Sequence, residues 1–274
     1  MQKTIALKIE YLGKSFHGWQ FQQNARSVQA ELEAAWSRLT GEKLRFKASS
    51  RTDAGVSARG LVCHCTSQSR IPISQIPYAL NAQLPEHLVV LQAREMAPDF
   101  SARHQSIGKY YCYRILNRRM PSAFLRDTSY HCSWQLQPEL WLNEAPILIG
   151  EHDFRAFMDQ GSPSPSTIRR LDYLGLRKSG DCLELDVVGS GFLYHMVRIL
   201  AGTALVMMAG KLSPEGLKEG FLSGDRTALG PTLPAAGLCL ERVFFRDEIF
   251  GNDDQAAYLK CARGEFELSS ERIF

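Results

Sequence analysis

A chain of 274 residues with 45% hydrophobic and 22% charged residues has an ordinary soluble globular composition, too long for one small module and suited to one large or two modest domains. Seven cysteines are scattered through it with no C-x-x-C pair, which argues against a disulfide framework and against zinc-finger spacing and points to a reducing, cytoplasmic setting. The net charge of +3 lies below that of a strongly basic nucleic-acid binder.

The opening MQKTIALKIEY alternates with Ile5, Leu7, Ile9 and Tyr11 on one side, which predicts a strand and not a secretory or transit segment. Val28, Leu32, Trp36 and Leu39 then recur at helical spacing, with Ser27 placed to cap the helix and Gly41 to end it. Leu44, Phe46 and Ala48 predict a strand, RTDAGV a loop, and Gly60 to Thr66 a further strand. A short helix is expected over Ser74 to Ala82. Strands follow at His87 to Met96 and at Lys109 to Asn117, the latter with Lys109, Tyr111, Tyr113 and Ile115 on one face.

In the second half a helix is expected from Pro138 to Gly150, then a flexible loop at QGSPSPST, then strands at Leu171 to Arg177 and Leu183 to Val188. A long helix over Phe192 to Ala209 and a shorter one announced by Ser213 and Pro214 precede a last strand, Gly237 to Phe245. The apolar run Ile199 to Gly210 is too short to span a bilayer, so no membrane association is expected. This order predicts an α+β protein of two halves, 1–106 and 107–246, each an antiparallel sheet covered by helices on one side. Residues 247–274 form an acidic extension expected to be peripheral or partly disordered. From Arg246 onward the balance is −3, which leaves +6 on the remainder; Arg103 to Arg126 carries six Lys/Arg and no carboxylate. That local excess suits either phosphates or a merely solvated face.

Few residues could carry chemistry. Asp53 in Ser49-Ser50-Arg51-Thr52-Asp53-Ala54-Gly55 reads either as an Asx-turn residue or as a functional carboxylate held on a loop. Arg198 lies in FLYHMVRILAGTALVMM, apolar on nearly every side, so it needs a buried anion, and Asp53 is the most economical partner. So paired, Asp53 stays ionised and competent as a nucleophile, although a purely structural ion pair reads the same way. Tyr111 and Tyr113, with Lys109 and Arg114, offer rings for an unstacked base and charges for its phosphates, or simply core-facing aromatics. Trp19 reads as buried loop packing or as a cover over a site. Cys63-His64-Cys65 alternates across a strand and so does not converge on a metal. Neither a nucleophile elbow nor a phosphate-binding glycine loop is present.

Taken together, Tyr11-x-Gly13 with FHGWQ, VQAELEAA, RTDAGVSA, DFSAR at Asp99 to Arg103, KYYCY, GEHDFRAF, FLYHMVR and LPAAGLCLERV resemble the TruA family of tRNA pseudouridine synthases over about residues 4 to 245. RTDAGV followed by FLYHMVR is the specific part. The resemblance implies two ferredoxin-like halves whose sheets join across a central basic cleft, usually in a homodimer, with no cofactor and no metal. It implies isomerisation of uridine to pseudouridine in the tRNA anticodon arm, at positions 38, 39 and 40. It places Asp53 on the nucleophile, Tyr111 on the ring that lies against the uracil, and Arg198 on the partner of the Asp. Arg51, Lys109 and Arg114 are expected to meet phosphates. The sequence departs from the family pattern at Leu12, commonly Asp, at Ser50, often Gly, and at Ser57, usually His in bacterial members.

Overall fold

The computed structural model describes residues 2–161, 164–251 and 254–262. Strand β1 (Lys3–Tyr11) buries Ile5, Leu7 and Ile9, and helix α1 (Val28–Thr40) starts and stops where its sequence signals lie. The Ser27 side chain accepts the Ala30 N–H, and Gly41 turns left-handed at φ 75°. The strand expected from Leu44 shrinks to β2 (Lys47–Ala48). Phe46 explains the loss: its N–H donates to Glu33 Oε1 at 3.1 Å and its carbonyl accepts from Gln29 Nε2 at 3.2 Å. Both of its backbone groups are thus committed to α1 side chains and not to a ladder.

The chain continues through β3 (Ser57–Ser67), α2 (Ile76–Asn81), β4 (Leu88–Met96), β5 (Ser106–Asn117) and β6 (Tyr130–Cys132). The helix expected over Pro138 to Gly150 is instead α3 (Pro138–Leu142), a 3₁₀ turn at Ala145–Leu148, and β7 (Gly150–Asp153). Pro146 lacks the N–H that would close onto the Leu142 carbonyl, so the α-helix ends there. β8 (Ile168–Ser179), β9 (Cys182–Gly189), α4 (Met196–Met208), α5 (Pro214–Ser223), β10 (Leu238–Phe245) and α6 (Asp254–Ala262) complete the fold. Among the described residues no helix is long and apolar enough to cross a membrane.

The strands form one sheet in the order β4-β1-β3-β10-β5-β9-β8-β7, with β2 beside β3 and β6 beside β5. First-half strands occupy one end and second-half strands the other. β10 lies between them, antiparallel to β5 along most of its length but parallel to β3 only at Cys239 opposite Ser57 and Leu240 opposite Ala58. One face carries the main core, into which α1, α2 and α4 send Leu32, Trp36, Leu80, Ile199 and Leu200.

The described part of the acidic extension, expected to be peripheral or partly disordered, includes helix α6 docked on the sheet. Tyr258 and Cys261 of α6 pack on the opposite face of the sheet with Tyr110, Cys112, Val188 and Phe244. The Tyr258 hydroxyl donates to Asp172 at 2.6 Å and accepts from Arg170, while Arg242 grips Asp254 at 2.5 Å. Gly108 lies directly beneath this ring, where a Cβ would stand 2.1 Å from Tyr258 Cε2. Sequence reading saw only the acidity of the segment and not the aromatic–thiol pair at Tyr258 and Cys261. Residues 252, 253 and 263–274 of the extension, and 162 and 163 of the QGSPSPST loop, lie outside the described residues.

Candidate active site

The RTDAG loop joins β2 to β3 and is clamped from below by the loop after β1. Trp19 N–H donates to the Thr52 carbonyl at 3.2 Å, Gly55 N–H to Phe16 O at 3.2 Å, and the Tyr11 hydroxyl meets Thr52 Oγ1 at 2.8 Å. Gly18, at φ +82°, passes so close that a Cβ would stand 2.4 Å from the Thr52 carbonyl oxygen. Trp19 itself is 3% exposed, so it packs the loop and covers no open site. The turn closes on itself through Val56 N–H to the Asp53 carbonyl at 3.1 Å, leaving the Asp53 carboxyl projecting with its side chain 34% exposed.

Across from it, α4 supplies the partner that its apolar sequence demanded. Arg198 Nη1 stands 3.8 Å from Asp53 Oδ2, and its Nε–H donates to the Leu233 carbonyl at 2.6 Å. A second basic side chain, His195, brings Nε2 to 3.5 Å from the same carboxylate oxygen. Among the described residues His195 is the single non-glycine with positive φ, 62°, and it stands where α4 begins. The helix therefore starts at Met196 and not at Phe192, and the FLYH segment enters it through a left-handed turn.

Tyr111, on β5, is 6% exposed and meets Phe192 edge-on at 5.2 Å and 84°. Burial pushes its phenol up to about 12, against the opposing hydrogen bond from Ser50 and with the help of the Asp53 charge, so it stays protonated at neutral pH. Its hydroxyl lies 3.1 Å from Ser50 Oγ, giving the unusual serine a contact that ties the Asp53 loop to β5. Ser57 likewise has a partner, accepting the Gly13 N–H at 3.0 Å, whereas Leu12 is exposed.

Lys109 lies two residues before Tyr111 on the same face of β5. Burial, then the charges of Arg103 and Arg169, lower its ammonium to about 8. The charges of Arg103 and Arg169 thus act on the Lys109 ammonium. Arg51 is exposed within the Asp53 loop. Arg114 is not brought to the site: alternation along β5 turns it to the opposite face, where it pairs with the nearly fully buried Glu184 at 2.8 Å, beside Arg177 and Asp186. Cys63 and Cys65 are buried in the main core, while His64 points to the other face, accepts the Ala102 N–H and packs edge-on against Phe100.

Sequence reasoning missed His195 and Asp159 as site residues. Asp159 Oδ2 accepts from His195 Nδ1 at 2.7 Å and from Thr232 Oγ1 at 2.8 Å, and Oδ1 accepts from Arg226 Nε at 3.0 Å. The only signal was the histidine within FLYHMVR; nothing in the spacing announces that Asp159 meets it.

The family model described as tRNA pseudouridine synthase matches residues 8–104 and 145–246. Those segments contain Asp53, Asp159, His195 and Arg198, while Lys109 and Tyr111 fall between them. The chain is 40% identical over 243 residues to tRNA pseudouridine synthase A 2 of Clostridium perfringens, covering 89% of this chain and 100% of that one. It is 42% identical to tRNA pseudouridine synthase A of Clostridium kluyveri with the same coverage. To the enzyme of the same name in Moorella thermoacetica it is 42% identical, over 87% of this chain and 98% of that one.

Proposed function

Because this chain belongs to the tRNA pseudouridine synthase family, and is thus an isomerase of uridine in tRNA, we propose that Asp53 is its nucleophile and the anticodon arm its target, at positions 38, 39 and 40. One observation carries the reading. The Asp53 carboxylate is partly open on one side while its Oδ2 is held by Arg198 on the other, beside the Tyr111 ring. The target base leaves its stack and lies against Tyr111. Asp53 then separates base from ribose, either by attack at C1′ or by removal of the adjacent sugar proton. The electron pair of the N1–C1′ bond leaves with the uracil. The base turns in place and C5 bonds to C1′, on the first route displacing the Asp53 carboxylate from that carbon and on the second with Asp53 returning the proton to C2′; the C5 proton is lost as N1 gains one, so composition is unchanged. Arg198 orients Asp53 and stabilises its charge. Lys109 and Arg51 take the neighbouring phosphates; Arg114, on the far face, has no part in this reading. The enzyme works as a homodimer in the cytoplasm, in keeping with the family resemblance.

Unmodified tRNA transcripts, incubated with purified wild-type protein or Asp53→Asn and mapped for pseudouridine, test both halves of the proposal. Wild type modifies positions 38 to 40, and Asp53→Asn modifies none while binding tRNA within several-fold of wild type. Turnover by Asp53→Asn removes the nucleophile assignment. Modification confined to other positions removes the anticodon-arm assignment. Sedimentation of the purified protein as a monomer would remove the dimer.

A further inference from the structure

His195 lies between two carboxylates, with Nδ1 2.7 Å from Asp159 and Nε2 3.5 Å from Asp53. Both contacts are specific in a way that a surface histidine's would not be. Asp159 is fixed by Arg226 and Thr232 as well, and Arg226 is itself anchored by the Gly230 carbonyl and Thr232, each at 2.8 Å. Burial opposes ionisation of Asp159, but the hydrogen bonds from His195, Thr232 and Arg226, with the Arg226 charge, outweigh it and hold the carboxyl below its ordinary range. The imidazole is stacked on Tyr194 at 3.7 Å and 25°. Its backbone occupies a left-handed conformation that a non-glycine residue holds only when its surroundings impose it.

The geometry points to His195 as a positioning residue for Asp53, sharing with Arg198 the task of holding Oδ2 so that Oδ1 is the oxygen presented to the substrate. This rests on the assignment of Asp53 made above. A proton is what makes the contact attractive. With Nδ1–H directed at Asp159, a neutral ring turns the Nε2 lone pair toward the Asp53 carboxylate; only a proton between Nε2 and Oδ2 joins them. Asp159 fixes the ring so that Nε2 faces Asp53. The groups facing the ring are therefore Asp53 from the RTDAG loop, Asp159 with Arg226 behind it, Tyr194, and Arg198 one turn along α4. The 3.5 Å separation places Nε2 at the outer edge of hydrogen-bond reach of Oδ2.

Single-turnover rates at saturating enzyme, measured beside tRNA affinity and thermal melts, separate positioning from structural support. The variants are His195→Gly, which accepts the left-handed backbone without strain, Asp159→Asn, and the two together. His195→Gly is expected to be about ten- to a hundred-fold slower, the scale of one hydrogen bond to a charged group, with tRNA affinity within several-fold. Asp159→Asn is expected to be slowed as well, and the double variant to be no slower than His195→Gly alone, because Asp159 acts through the ring. A His195→Gly enzyme that keeps the wild-type rate overturns the assignment. So does one that loses rate only in proportion to a lowered melting temperature, or a double variant in which the two losses add. If Asp53→Asn itself turns over, the underlying function fails; if Asp53→Asn is dead and His195→Gly is unaltered, only the positioning role fails.

Discussion

Arg198 gives its Nε–H to the Leu233 carbonyl at 2.6 Å and reaches Asp53 with only its terminal nitrogen, at 3.8 Å. The guanidinium is thus aimed by the backbone of the segment before β10, and the Leu233 N–H returns a bond of 3.3 Å to the Arg198 carbonyl. An aimed cation near a half-open carboxylate is a directed electrostatic partner and differs from a core ion pair closed on every side.

Arg198→Met keeps much of the packing of α4 but leaves Asp53 without its guanidinium, which disfavours the ionised carboxylate. Single-turnover activity is expected to fall steeply, with tRNA affinity within several-fold of wild type, because the carboxylate loses the cation that orients it. Stability is expected to drop by on the order of 2 kcal/mol, less than for a sealed pair because Asp53 is partly solvated. Thermal melts of Arg198→Met, Asp53→Asn and the double variant should be non-additive; additive losses would count against the pairing.

With Lys109 meeting a phosphate as proposed, tRNA binding should depend on its proton. Its ammonium titrates near 8 in the free protein, so the side chain is cationic below that pH and loses its charge above it, while a bound phosphate draws the proton back. Affinity measured from about pH 7 to 9.5 should weaken through that window in wild type and change little in Lys109→Arg, whose charge persists. Lys109→Met should lower the salt slope of binding by about one. Stability has the opposite sign. Between 8 and the unfolded value of 10.5 the unfolded chain binds more protons at this side chain, so this residue's contribution to stability rises with pH there.

Arg114 separates fold from function. Arg114→Met leaves Glu184, 3% exposed, with less compensation on the far face of the sheet. It should cost on the order of 3 kcal/mol in urea or thermal unfolding. Affinity for tRNA should stay within about two-fold, because Arg114 is paired with Glu184 on the face of β5 opposite Tyr111. A large affinity loss with intact stability would return Arg114 to the RNA.

The docking of α6 can be weighed in the same way. Tyr258→Ala removes a ring from the far-face cluster together with its bonds to Asp172 and Arg170, and should cost about 3 kcal/mol. In a chain of this size that is a fall of roughly 6–12 °C in melting temperature, with the rate per folded molecule unchanged.

How much was legible in advance follows from how local each signal is. The ends of α1 were readable because Ser27 and Gly41 act on their own neighbours. The pairing of Asp53 with Arg198 was readable because an arginine in an apolar helix must find an anion wherever the fold supplies one. Arg114 was misplaced because charge content carries no face; the alternation that put Tyr111 on one side had already put Arg114 on the other. The strand at Leu44 and the long helix after Pro138 failed to competitors outside their own periodicity: side chains of α1 in the first case and one missing N–H in the second. Asp159 and His195 lie 36 residues apart and meet only through tertiary structure.

The loop bearing Asp53 ends where β3 begins, and the parallel link from β10 falls on Ser57 and Ala58, the first two residues of that strand. Every other described strand–strand pairing joins neighbours on one side of that link. The sheet is therefore continuous between its two ends through only two residue pairs, and those pairs adjoin the loop that carries Asp53. A shift of Cys239 and Leu240 against Ser57 and Ala58 would move that loop relative to β5 while leaving the ladders on either side of the link intact.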